Sequence, residues 1–118
     1  MLAGGRSSRM GTDKAMVLCG GTPLIRRVAS EVAAAAGSVK IAGRDICSDF
    51  RSVPDRYPGF GPVGGVATAL EDSCSEWTLI VACDMPGVQC EWLRVLLRRA
   101  CAQVIIPQTS DGRLHPRR

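Results

Sequence analysis

Two stretches of this chain carry residue types whose spacing can do chemistry. The first is "LAGGRSSRMGTDKA" at 2–15. Gly4 and Gly5 have no Cβ, so consecutive backbone N–H groups can converge on an anion there. Arg6, Arg9 and Lys14 add cations to the same loop, two of them planar forks and one a compact, movable charge. The second is "VACDMPG" at 81–87, where Asp84 directly follows an apolar run. A carboxylate at the end of a buried strand is a well-aimed hard-oxygen ligand on a rigid support. It can equally serve as a helix N-cap or an Asx turn. Cations and convergent amides on one loop, with a carboxylate on another, suit a phosphate-bearing ligand and a divalent ion. The loop lacks the Gly-Lys pair of a Walker A sequence and the GxGxxG spacing of a dinucleotide loop.

The elements that must position these loops follow from the patterning. "ML" at 1–2 reads as the end of a strand feeding the glycine turn. "TPLIRRVASEVAAAAG" at 22–37 predicts a helix, with Thr22 as N-cap, Pro23 in the first turn and Gly37 as the stop. "SVKIAG" at 38–43 and "RSV" at 51–53 predict short strands, and "GPVGGVATALED" a helix opening near Pro62. "WTLIVAC" at 77–83 is the near-continuous apolar run of a strand buried on both faces of a parallel sheet. "EWLRVLLRRACA" at 91–102 predicts a third helix, "QVIIP" at 103–107 another strand, and "SDGR" at 110–113 a hairpin turn. Alternating strands and helices argue for an α/β sandwich of three layers around a mostly parallel sheet. In such sheets ligands sit beyond the carboxyl ends of the strands, which is where both chemically pointed loops begin.

Composition narrows the partners. The chain has 118 residues, 46% hydrophobic and 4% aromatic, with a net charge of +4. That is one domain, 1–118, with a sizeable core. The basic side chains are arginine apart from Lys14 and Lys40, and no aromatic residues interleave with them, which argues against nucleic acid and for a small anionic ligand. No apolar run approaches a membrane span and no signal segment is evident, so a cytoplasmic location is expected. The six cysteines form no CxxC pair and read as free thiols of a reducing compartment.

At these residues the chain resembles a known family. "LAGGRSSRMGTDKA" is similar to the signature L-A-[AG]-G-x-[GS]-x-R-M-G, followed by a lysine, of sugar-nucleotide-type nucleotidyltransferases. The second glycine of "LAGG" and the "DKA" that follows resemble the molybdenum cofactor guanylyltransferases of the MobA-like family, whereas the cytidylyltransferase relatives usually read "LAAG". "VPDRYPGFGPVGGVATAL" at 53–70 and "VACDMPGV" at 81–88 resemble two further family segments, in the same order. The resemblance implies a Rossmann-like nucleotidyltransferase sheet and transfer of GMP from GTP to the molybdopterin cofactor, releasing pyrophosphate. It implies nucleotide contacts from Leu2, Ala3, Gly4, Gly5, Arg6 and Lys14, with Lys14, Arg9 and Asp84 catalytic. Asp84 is expected to hold Mg²⁺, Asp55 to help recognise guanine, Gly43 to lie beside the base, and Gly64 with Gly65 to let a helix approach the nucleotide. Taken alone, Asp55 beside Pro54 is a turn residue. His115, in a similar H-P segment, is a candidate partner contact.

The family extends further at both ends, so the sheet is expected to lack most of its first strand and the domain its C-terminal part. Two alternatives therefore stand beside guanylyl transfer. One is another nucleotidyltransferase of the cytidylyl or sugar-phosphate type. The other is a non-catalytic nucleotide-binding remnant docking to molybdenum-enzyme assembly factors.

Overall fold

In the computed structural model, residues 1–3, 14–45, 47–108 and 110 are described. After one 3-10 turn at Lys14–Met16 come β1 (Leu18–Cys19), β2 (Thr22–Pro23), α1 (Leu24–Ala36), β3 (Lys40–Gly43), β4 (Arg51–Pro54), α2 (Gly61–Glu71) and α3 (Cys90–Arg98). The centre is a parallel arrangement of four short stretches. β3 pairs with β4 in the register Lys40↔Arg51 to Gly43↔Pro54. On the other side of β3 lie residues 1–3, and Leu2 bridges Ala42 and Ala82 at once, both in parallel. The ladder bonds are Ala42 N–H to the Met1 carbonyl (2.8 Å), Ala3 N–H to Ala42 (2.9 Å), Leu2 N–H to Val81 (2.8 Å) and Cys83 N–H to Leu2 (3.0 Å). The spatial order is thus β4, β3, 1–3, 81–83.

Period-two alternation assigns the layers. Met1, Ala3 and Ile41 point into a core shared with Ile25, Val28 and Val32 of α1 and Leu93 of α3. Leu2 points the other way, toward α2, where a Cβ built on Gly65 would meet Leu2 Cδ2 at 3.2 Å. Helices α1 and α3 cover one face and α2 the other, giving the expected three-layer α/β sandwich with a mostly parallel, incomplete nucleotidyltransferase-like sheet.

Polar ties hold the helices in place. The carboxylate of Glu31, on α1, accepts the N–H of Cys90 at 2.6 Å. It serves as an N-terminal cap for α3 supplied from another helix, since Gln89 at the N-cap makes no side-chain cap of its own. Lys40 Nζ donates to Asp72 Oδ2 at 2.6 Å, joining the start of β3 to the end of α2. That contact holds the Asp72 carboxyl below its ordinary range.

The element boundaries depart from the patterning in several places; the third helix, predicted over 91–102, starts at Cys90 and ends at Arg98. Thr22 does not cap α1. It pairs with Cys19 in an antiparallel hairpin turned by Gly20 and Gly21, both at positive φ (62° and 82°), so the N-cap is Pro23 without a side-chain bond. A Gly-Gly pair meets the positive φ that a two-residue hairpin turn demands, and this outweighs the capping signal. Gly37 does end the helix, at φ 84° with its N–H on the Ala33 carbonyl. Residues 77–80 of the predicted long strand are unpaired, because their neighbour, 1–3, reaches only to Val81. Residues 103–107 form no strand; Val104 and Ile106 are exposed. The predicted 110–113 turn lies largely outside the described residues.

The amino group of Met1 is largely removed from solvent and donates to the Lys40 carbonyl at 2.7 Å. Burial depresses its pKa from the ordinary 8.0, partly offset by the nearby Cys83.

Candidate active site at the carboxyl edge of the sheet

Parallel register puts the ends of all four central stretches on one edge. Leu2 is level with Ala42 and Ala82, so Ala3, Gly43 and Cys83 end their stretches side by side. Gly43 is in turn level with Pro54. The next residues, Asp55 and Asp84, therefore leave the same edge. The chain runs from 1–3 outward to β3 and β4 and then returns to the opposite side at 81–83. The strand order reverses at 1–3, the place where open α/β sheets form their ligand crevice.

Asp84 is exposed and has no hydrogen-bond or ion-pair partner among the described residues. It does not cap α3, whose N-cap is Gln89. Its carboxylate has no local structural employment, and an oxygen donor with open lone pairs at a strand end is what Mg²⁺ uses alongside phosphate and water. Among the described residues no cluster of three or more His, Cys, Asp or Glu side chains could enclose a metal ion.

Asp55 is half-buried and firmly held. Its Oδ1 accepts the N–H of Tyr57 at 2.9 Å, an Asx turn, and the hydroxyl of Thr68 at 3.3 Å. Its Oδ2 has no partner among the described residues. The turn it starts is clamped to α2 twice more: Arg56 Nη1 donates to Glu71 Oε2 at 3.1 Å, and the Tyr57 hydroxyl donates to Glu71 Oε1. The carboxylate pushes the Tyr57 phenol pKa up, while the Tyr57 and Arg56 donors hold Glu71 down. Three strand spacings of ~4.8 Å separate the ends of β4 and 81–83, so Asp55 and Asp84 lie on the order of 14 Å apart. They cannot share one ion and stand at two ends of one sheet edge.

Gly43 has φ 120°, a conformation closed to other residues, at the end of β3. Gly64 is buried, and a Cβ there would sit 2.5 Å from the Tyr57 carbonyl oxygen. The close approach at Gly64 is thus of α2 to the chain's own Asp55 turn, and at Gly65 to Leu2. Leu2 and Ala3 are the central ladder. Lys14 opens the 3-10 turn with its side chain exposed. Gly4, Gly5, Arg6, Arg9 and His115 lie outside the described residues.

Two residues were missed from sequence. Arg44 Nε donates to the Ala3 carbonyl at 3.2 Å, bracing the point where the glycine loop begins. Thr68 is wholly buried beneath Asp55. Its signal was present: Gly64 and Thr68 are four residues apart, on one helical face of α2.

A protein-family profile described as the MobA-like NTP transferase domain matches residues 1–117. Proteins named probable molybdenum cofactor guanylyltransferase are similar along most of the chain. The one from Flavobacterium johnsoniae is 31% identical over 98% of this chain and 63% of its own length. That from Deinococcus radiodurans is 36% identical over 98% and 59%, and that from Pelotomaculum thermopropionicum 38% over 85% and 51%. The chain spans between half and two-thirds of the length of these relatives.

The glycine contacts predict opposite outcomes for neighbouring substitutions. Gly64→Ala gains about 1 kcal/mol of helix propensity but must displace backbone, at about 1–3 kcal/mol. A net loss of up to about 2 kcal/mol is expected. Gly65→Ala meets only a movable leucine methyl and should be neutral or stabilising by up to about 1 kcal/mol. Denaturant titration of the two variants checks the contrast.

Proposed function

The chain belongs to the MobA-like NTP transferase family, and from that premise we propose that it serves guanylyl transfer: GTP and the molybdopterin cofactor give the guanine dinucleotide form and pyrophosphate. The observation that carries this reading is the one-edge arrangement. A clamped carboxylate, Asp55, stands at one end and an unpartnered one, Asp84, about three strands away. Between them lies the strand that feeds the glycine loop. The span suits one nucleotide, base at Asp55 and phosphates toward Asp84.

The nucleophile in this reaction is a phosphate oxygen of the cofactor, already anionic near neutral pH. It forms a bond to the α-phosphorus of GTP as the bond to the bridging oxygen of the β-phosphate breaks. No strong general base is needed, and the chain's work is alignment and charge neutralisation. Asp55 accepts N–H donors of the base through Oδ2. Arg9 and Lys14, with the Gly4 and Gly5 amides, neutralise the departing pyrophosphate, while Arg44 steadies the exit of the strand beneath them. Asp84 would hold Mg²⁺, which supplies further charge neutralisation at phosphate oxygens. We read the six cysteines, none of them in a disulfide, as those of a cytoplasmic protein.

Calorimetry with GTP, CTP and UTP, with and without Mg²⁺, tests the reading; uptake of GTP over the pyrimidine nucleotides, strengthened by Mg²⁺, is expected. Asp84→Asn should erase the Mg²⁺-linked part and leave the melting temperature unchanged, since the Asp84 carboxylate bonds nothing among the described residues. Lys14→Ala should lower pyrophosphate release by two to three orders of magnitude, about 2.7–4 kcal/mol of lost transition-state stabilisation. A chain that binds all three nucleotides alike would overturn the assignment.

A further inference from the structure

Thr68 is the single polar side chain fully buried among the described residues, at 0 % exposure. A hydroxyl in that position must satisfy both its donor and its acceptor capacity internally, or the burial costs stability. It does so through the Asp55 turn. Thr68 Oγ1 accepts the backbone N–H of Arg56 at 3.1 Å and donates to Asp55 Oδ1 at 3.3 Å. That oxygen also accepts the Tyr57 N–H. Both protein donors therefore converge on Oδ1, and Oδ2 is left as the carboxylate's open acceptor.

We propose that Thr68 is a positioning residue for base selection: it fixes the rotation of the Asp55 carboxylate so that Oδ2 faces the N–H donors of a purine's Watson–Crick edge. The inference rests on the reading of Asp55 as the residue that meets the base. Its physical content is separate. A carboxylate free to rotate would lose rotamer entropy on binding, and one held by two donors on the same oxygen is already ordered. Guanine presents N1–H and N2–H on that edge, whereas adenine presents an acceptor at N1 and donates only from its N6 amino group. A fixed acceptor therefore discriminates between them, and a turning carboxylate discriminates less. Gly64, on the same helical face, lets α2 come close enough for the hydroxyl to reach.

The test is calorimetric binding of GTP, ITP and ATP to the full chain and to Thr68→Val and Thr68→Ser. Valine keeps the shape and removes the hydroxyl; serine keeps the hydroxyl. With the hydroxyl gone, the preference for GTP over ATP should fall about tenfold, about 1.4 kcal/mol, while ATP affinity stays within about twofold. Thr68→Ser should retain the wild-type preference. Equal weakening of GTP and ATP by Thr68→Val would assign Thr68 a purely structural role and overturn the proposal. So would an unchanged preference in that variant, while leaving Asp55 in place as the base contact. If the unsubstituted chain shows no preference for guanine, the base reading itself fails, and the proposal falls with it.

Discussion

The simultaneous pairing of Met1–Ala3 with β3 and with 81–83 joins the two halves of the molecule. Without it, β3, β4 and α2 form one unit and 81–83 with α3 another, tied among the described residues mainly through α1, which packs on α3 and is bonded to it between Glu31 and Cys90 and between Ala34 and Arg94. Each ladder bond there contributes modestly, roughly 0.5–1.5 kcal/mol net. The geometric consequence is larger than the energy. Because the stretch is parallel to both neighbours, it delivers its own exit, that of β3 and that of 81–83 to one level. The order of the strands reverses at the same place, the position at which open α/β sheets form their ligand crevices.

The two ends of the sheet edge are built on different physical terms. At Asp55 the chain spends a helix face, a buried hydroxyl, an Asx turn and two surface contacts from Glu71 on holding one carboxylate. At Asp84 it spends nothing visible: the side chain is exposed and leaves a turn at a strand end. This difference matches what the proposed ligands demand. Base discrimination depends on a fixed direction of acceptance, because adenine and guanine differ in which positions donate. Phosphate and metal binding depends on charge and tolerates movement, and an octahedral ion assembled partly from water needs an accessible carboxylate more than a caged one.

What could be read from sequence follows the range of the forces involved. The turn at Asp55 beside Pro54 was legible because Asp and Pro act through their own backbone, whereas the glycine loop lies outside the described residues. The helices at 24–36 and 61–71 were legible from apolar spacing and their Pro and Gly stops. The long strand at 77–83 was overread, since apolar content signals burial but pairing needs a neighbour, and that neighbour reaches only Val81. "QVIIP" failed for the same reason: β-branched residues favour a strand only where an edge accepts them. Thr22 failed because a Gly-Gly turn two residues earlier claimed it for a hairpin.

Asp55 shows why one residue can satisfy two readings at once. Beside Pro54 it reads as a turn former, and the structure gives it that role through the Tyr57 amide. The family resemblance gives it a base to recognise. A carboxylate has two oxygens, and the turn occupies only one. In the proposed reading the turn does not compete with recognition but prepares it, because a carboxylate anchored on Oδ1 holds Oδ2 in a set direction. The same economy operates at Gly64. A Cβ there would meet the Tyr57 carbonyl, and its absence lets α2 approach the turn closely enough for Thr68 to reach Asp55. The same glycine thus serves the packing that holds the carboxylate the proposal relies on.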